Sequence, residues 1–182
     1  MPRIKKNMKL LPFPQLRQSY DFDCGAQVLQ SVLLFYGMEV REDQILKKAK
    51  INKVCGTLAE EMQKFLQNYG LKTKAGSLKK EQVQRHIDKG HPAILAIQAW
   101  SKQEKDWKKD WKDGHYVVAI GYDKQRFYFE DPSTVLKTFL NYKELEERWH
   151  DRDCYGRKYQ NYGILVYGKK RKYNPKMLVH ID

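Results

Sequence analysis

The texture of the chain changes once, near Gly90, and that change narrows the fold more than any other feature of the sequence. Before it, apolar residues recur every three or four positions. After it, they crowd into short runs of branched and aromatic residues. Residues 26–36 carry Val28, Leu29, Val32, Leu33 and Tyr36 at the period of a helix buried along one face, and Gly37 offers a stop. A short basic helix is expected over about 42–50. Thr57 and Glu60 read as a capping box opening a third helix, with Leu58, Met62, Phe65 and Leu66 on one face and Gly70 as its close. A fourth is expected over about 79–88. Beyond Gly90, residues 91–99, 115–122, 126–130 and 162–167 read as strands, and 121–124 suggests a hairpin. A helix rich in Glu and Lys, about 141–149, precedes the last strand. Helices first and strands after predict an α+β fold, N-terminal helices packed on a C-terminal antiparallel sheet.

The chain has 182 residues, 41% of them hydrophobic, which suits a single domain with a real core. Residues 1–168 are read as that domain, opening on an irregular arm of about twenty residues, and 169–182 as a basic tail. Thirty-five Lys plus Arg against 22 Asp plus Glu leave a formal charge of +13. That excess suits nucleic acid or an anionic surface but specifies neither, so no such partner is predicted. No apolar run approaches the roughly 18 residues of a membrane helix, so no integral membrane segment is expected. The three cysteines, Cys24, Cys55 and Cys154, are odd in number and far apart, which argues against a disulfide framework and against a C-x-x-C zinc site. Arg3, Lys5, Lys6 and Lys9 begin like a secretory signal, but Pro12 and Pro14 break the apolar stretch and no small-residue cleavage site follows. A cytoplasmic protein is therefore expected. His86 and His91 have no Cys or carboxylate at metal spacing, and no phosphate-binding glycine loop occurs, so neither metal nor cofactor is expected.

The strongest chemical signal is local. In QSYDFDCGAQVL, Cys24 falls where a loop becomes a helix, so its thiol meets the positive end of the helix dipole, which favours the nucleophilic thiolate. On position alone a buried, inert cysteine is the commoner outcome. Its company changes the balance. Gln18 lies six residues upstream, where its amide could fold back beside the sulfur and, with the Cys24 backbone N–H, form a two-donor oxyanion hole. His115 begins a strongly apolar strand, where an imidazole without a task is out of place. Asp131 ends the next strand in FEDP and could take the other ring N–H of His115, although an Asp before Pro132 also serves as a turn residue.

The words go further than the pattern. QSYDFDCGAQVLQSVLLFYG, GTLAEEMQKFLQNYGL, HPAILAIQ, GHYVVAIGYD, FYFEDPS and ELEERW resemble, in order, the bacteriocin-processing (double-glycine leader) peptidase family over about residues 14–149. The resemblance implies a papain-like cysteine peptidase fold with Cys24 as nucleophile and His115 as general base and then acid. Asp131 would orient the imidazole and Gln18 would donate to the oxyanion. The implied activity is hydrolysis of a flexible peptide through an acyl-enzyme thioester, with glycine before the scissile bond. An acyltransferase using the same triad, and a papain-like module that binds peptide or nucleic acid without turnover, are the alternatives. Members best known for these motifs carry a transmembrane and ATPase part behind the peptidase, whereas this chain is read as a standalone domain.

Residues 101–114, SKQEKDWKKDWKDG, look like an insertion immediately before the histidine. Trp107 and Trp111 are four apart and in a helix would share a face. A lid over the cleft is one reading; a charged helix tucking two indoles against the body is the favoured one.

Overall fold

The computed structural model describes residues 8–181. Its elements run β1 (Lys9–Leu10), α1 (Cys24–Phe35), α2 (Glu42–Lys48), α3 (Ala59–Asn68), β2 (Lys72–Ser77), α4 (Lys80–Asp88), β3 (Ala93–Gln98), β4 (Gly114–Tyr122), β5 (Arg126–Glu130), β6 (Thr138–Asn141), α5 (Tyr142–Arg148), β7 (His150–Arg152), β8 (Lys158–Gln160) and β9 (Tyr162–Tyr167). Seven strands make one antiparallel sheet in the order β2-β9-β3-β4-β5-β6, with β1 beside the far end of β4. β7 and β8 form a separate ribbon. The α+β class is as expected, and β4 and β5 make the expected hairpin.

The apolar stripe of α1 explains its place. Val28, Leu29, Val32, Leu33 and Phe35 are fully buried, and the helix lies against β4. β3, expected as a strand within residues 91–99, is buried along its whole length. The Asn141 side chain accepts from the Glu144 amide and starts α5, while the Glu144 carboxylate answers at the Asn141 amide.

Several expectations need correction. Thr57 does not cap α3: Leu58 is its N-cap residue, and Glu60 pairs instead with Arg157 at 2.6 Å. Thr57 is wedged against α1, where a Cβ at Gly25 would lie 2.3 Å from its Oγ1. The N-terminal arm is not wholly irregular, because β1 joins the sheet and Leu11 and Phe13 enter the core. Its basic residues Arg3, Lys5 and Lys6 lie outside the described residues. Residues 101–113 form turns and irregular backbone rather than a helix, and Gly114 already begins β4. Trp107 lies under the Arg148 guanidinium of α5, 3.9 Å away, while Trp111 packs on His150 of β7. The indoles are tucked against the body as expected, but on different partners.

The cysteine arithmetic is overturned. Cys55 and Cys154 form a disulfide, with Cα atoms 5.0 Å apart and 99 residues between them in sequence. Counting and spacing could not reveal it, because the loop before α3 and the β7–β8 turn become neighbours only once the sheet is built. An odd total is satisfied by leaving Cys24 free. Among the described residues, no helix is long and apolar enough to cross a membrane.

Candidate active site

Three of the four expected residues converge at one end of the sheet. β4 and β5 run antiparallel, so the start of one lies beside the end of the other. His115 is the second residue of β4, and Asp131 follows the last residue of β5. His115 Nε2 lies 2.8 Å from Asp131 Oδ1 and the pair is buried. That contact commits Nε2 to the carboxylate; Cys24 is the first residue of α1. The nearby Cys24 side chain favours the charged imidazole. Burial alone would lower the proton affinity of His115, but Asp131 and Cys24 outweigh it and hold the imidazole up to about 10.

Asp131 is itself held from four sides. Besides His115, it accepts from the Ser133 amide at 3.0 Å, the Trp100 indole at 3.1 Å and the Thr138 hydroxyl at 3.3 Å. Burial would raise its carboxyl, but the hydrogen bonds from His115, Ser133 and Trp100 keep it below the usual carboxylate range. Trp100, Ser133 and Thr138 carry no mark of this task in the sequence. Their selection depends on loop shape, and Trp100 reaches Asp131 from a left-handed backbone turn at φ +61.

Gln18 stands on a short arm tied to the same site. Its backbone N–H donates to the Pro132 carbonyl at 2.8 Å, one residue beyond Asp131. Its side-chain Nε2 donates to the Tyr20 carbonyl at 2.7 Å, not to the sulfur, and its Oε1 is buried without a partner among the described residues. The structure therefore gathers Cys24, His115 and Asp131, and brings Gln18 to the margin of the group.

Cys24 opens on a cleft of about 510 Å³. Its walls include Phe22 and Tyr116, the loop around Gly56 and Thr57, Trp111 of the inserted segment, and Asp151 of β7. The Cys55–Cys154 disulfide is part of the wall. Asp151 accepts from Gln98 Nε2 at 3.1 Å and from the Arg152 amide at 2.8 Å, and burial pushes its carboxyl up to about 6. Neither the disulfide nor Asp151 was anticipated. Among the described residues, no group of three or more His, Cys, Asp or Glu is placed to hold a metal.

Residues 10–157 match the Peptidase_C39 like family. A double glycine motif protease from an AMS/PCAT transporter, solved with its leader peptide, has a TM-score of 0.62 at 18% identity, over 90% of this chain and 96% of that one. The peptidase domain of Streptococcus ComA, a bifunctional ABC transporter of a quorum-sensing pathway, has a TM-score of 0.62 at 20% identity, over 88% and 99% of the two chains. A C39-like peptidase from Bacillus anthracis has a TM-score of 0.66 at 17% identity, over 92% and 100%. No curated protein matches. At these identities the likeness establishes a shared papain-like fold.

Proposed function

The chain belongs to the Peptidase_C39 like family, and on that premise we propose that it hydrolyses peptide bonds through a Cys24, His115 and Asp131 triad and an acyl-enzyme thioester. The observation that carries this reading is the buried imidazole held by Asp131 at Nε2, its charged form favoured by the cysteine that starts α1 and opens on a cleft. Cys24 attacks the peptide carbonyl, and the oxyanion forms between the Cys24 backbone N–H and the Gln18 side chain. An amide nitrogen carries two donors; one N–H of Gln18 Nε2 is engaged by Tyr20 and the second is available to the oxyanion. His115 gives its proton to the leaving amine, then takes one from the water that hydrolyses the thioester. Asp131 keeps the ring in one orientation and tautomer throughout.

The substrate is a flexible peptide with small residues, glycine foremost, before the scissile bond. Support for that preference comes from the double glycine protease that shares the fold. A peptide-library cleavage profile tests both levels at once. Loss of all cleavage in Cys24→Ala is expected. Cleavage retained in that variant, or abolished by EDTA in the wild type, would overturn the peptidase reading. A wild-type profile led by bulky residues would remove the glycine preference alone.

Residues 1–168 form the peptidase domain in this reading, and 169–182 the basic tail. The tail is largely exposed, though the backbone N–H groups of Lys172 and Tyr173 donate to the Phe35 carbonyl. A cytoplasmic location requires Cys55 and Cys154 to be kept as thiols, since cytosolic systems reduce most disulfides. The disulfide favours an oxidising setting, and trapping thiols in cells before lysis distinguishes the two.

A further inference from the structure

Asp23 immediately precedes the nucleophile and is fully buried, yet it does not do what an aspartate at a helix start ordinarily does. It is the N-cap residue of α1, but its side chain makes no hydrogen bond to that helix. The carboxylate turns back to the arm instead. It accepts from the Ser19 amide at 3.2 Å and from the Tyr20 amide at 3.1 Å. These are the two residues after Gln18, and the Tyr20 carbonyl is the group that holds the Gln18 side chain. Asp23 thus joins the first turn of α1 to the segment bearing the oxyanion donor.

A second carboxylate completes the arrangement. Glu42, from the start of α2, accepts from the Ser19 hydroxyl at 2.8 Å, so Ser19 is held by Asp23 at its amide and by Glu42 at its side chain. The two carboxylates act on each other, and each makes the other's charge more costly or less according to which holds a proton. Burial and the hydrogen bond with Glu42 push Asp23 up to about 6. For Glu42, burial acts upward but hydrogen bonds from Asp23, Ser19 and Gln27 prevail and hold it below its ordinary value.

We propose that Asp23, paired with Glu42, is a positioning residue that fixes the Gln18 arm beside Cys24. This rests on the reading of Gln18 as an oxyanion donor. The sulfur does not need the arm in order to react with a small alkylating agent, but the tetrahedral intermediate does. Removing the clamp should therefore act on kcat while leaving KM and thiol alkylation in place.

The test measures peptide hydrolysis and Cys24 alkylation for Gln18→Ala, Asp23→Ala, Asp23→Asn and the Gln18→Ala/Asp23→Ala pair. Asp23→Ala should cut kcat by up to about 100- to 1,000-fold, the range for losing one oxyanion donor, with KM and alkylation within about twofold of wild type. Asn keeps an acceptor for the arm and offers Glu42 an N–H, so Asp23→Asn should restore kcat to within about fivefold of wild type. The double variant should be no slower than Gln18→Ala, because the two residues act through one group. If Asp23→Ala does not fold, Asp23→Ser replaces it, since serine is a good N-cap but too short to clamp the arm. Equal losses in alkylation and hydrolysis, full additivity in the double variant, or an Asp23→Asn as slow as the alanine variant would overturn the inference. A Gln18→Ala variant as fast as wild type would instead overturn the oxyanion reading beneath it.

Discussion

Cys24 is the free cysteine of the structure, because Cys55 and Cys154 bind each other. Iodoacetamide added to the oxidised protein should label Cys24 alone, and mass mapping that finds Cys55 or Cys154 modified without reductant would contradict the pairing. His115→Ala should slow that labelling and nearly abolish hydrolysis, since it removes both the base for the thiol and the acid for the leaving amine. Asp131→Asn should fall between wild type and His115→Ala, the ring being present but held in the wrong tautomer. Gly25 adds a steric test. A Cβ there would lie 2.3 Å from Thr57 Oγ1 and 2.5 Å from its Cβ, so Gly25→Ala should lower stability by roughly 1–3 kcal/mol and turnover with it, as read by thermal unfolding and kcat. At this scale much was legible. A thiol at a helix start, an imidazole opening an apolar strand and a carboxylate ending the next have few common explanations together. Trp100, Ser133 and Thr138 were not legible, because any indole, hydroxyl or amide can donate and only the folded loops select which ones meet Asp131. Asp23 lay in plain sight beside Cys24, but its backward turn is a fact of conformation.

The elements that could be read were those whose side chains face a core. α1, β3, β4, β5 and β9 carry apolar periodicity because burial demands it. β2 is an edge strand of small and polar residues, KTKAGS, half exposed along its length, and nothing in its composition sets it apart from a loop. The β7–β8 ribbon is shorter still and charged. The ribbon and its turn build one wall of the cleft, and the disulfide fastens that turn to the loop before α3. Breaking it should therefore act on substrate binding more than on chemistry, since neither cysteine touches the triad. Cys154→Ser should raise KM while changing kcat little. It should also lower stability by about 2–5 kcal/mol, the usual effect of losing a bond that closes a long loop. The check is thermal unfolding and steady-state kinetics with and without reductant. An unchanged melting temperature under full reduction, verified by thiol titration, would show that the wall holds without the bond.

Across the whole molecule, the triad end of the sheet gathers buried ionisable groups, among them His115, Glu130 and Asp131. Glu130 ends β5 beside Asp131 and is almost fully buried, accepting from the Leu16 amide and the Ser31 hydroxyl, each at 3.3 Å. Burial pushes its carboxyl up to about 8, the two hydrogen bonds offsetting only part of the effect. The unfolded chain releases this proton near 4.5, so between pH 4.5 and 8 the folded state binds more protons and stability must fall as pH rises. His115 acts over a later window. Its folded value near 10 stands above its unfolded 6.5, so its contribution is full below pH 6.5 and is lost as pH rises through 10. Asp131 is lowered, so its contribution is present above 3.8 and lost toward acid. Glu130 and His115 thus both favour the folded state on the acid side of their windows, and Asp131 opposes them only in stronger acid. Glu130→Gln separates the first window from the others, because glutamine fills the same volume, can still accept from Leu16 and has no charge to bury. The variant should match wild type near pH 4.5 and become progressively more stable than it toward pH 8, with the His115 decline intact above that. General repulsion from the +13 charge acts nearly equally on both proteins and cancels in the difference. Paired urea titrations at pH 4.5, 6 and 8 measure that difference. A gap between the two proteins that stays constant across the three values would mean that Glu130 is ionised in the folded chain and that the sheet end tolerates its charge.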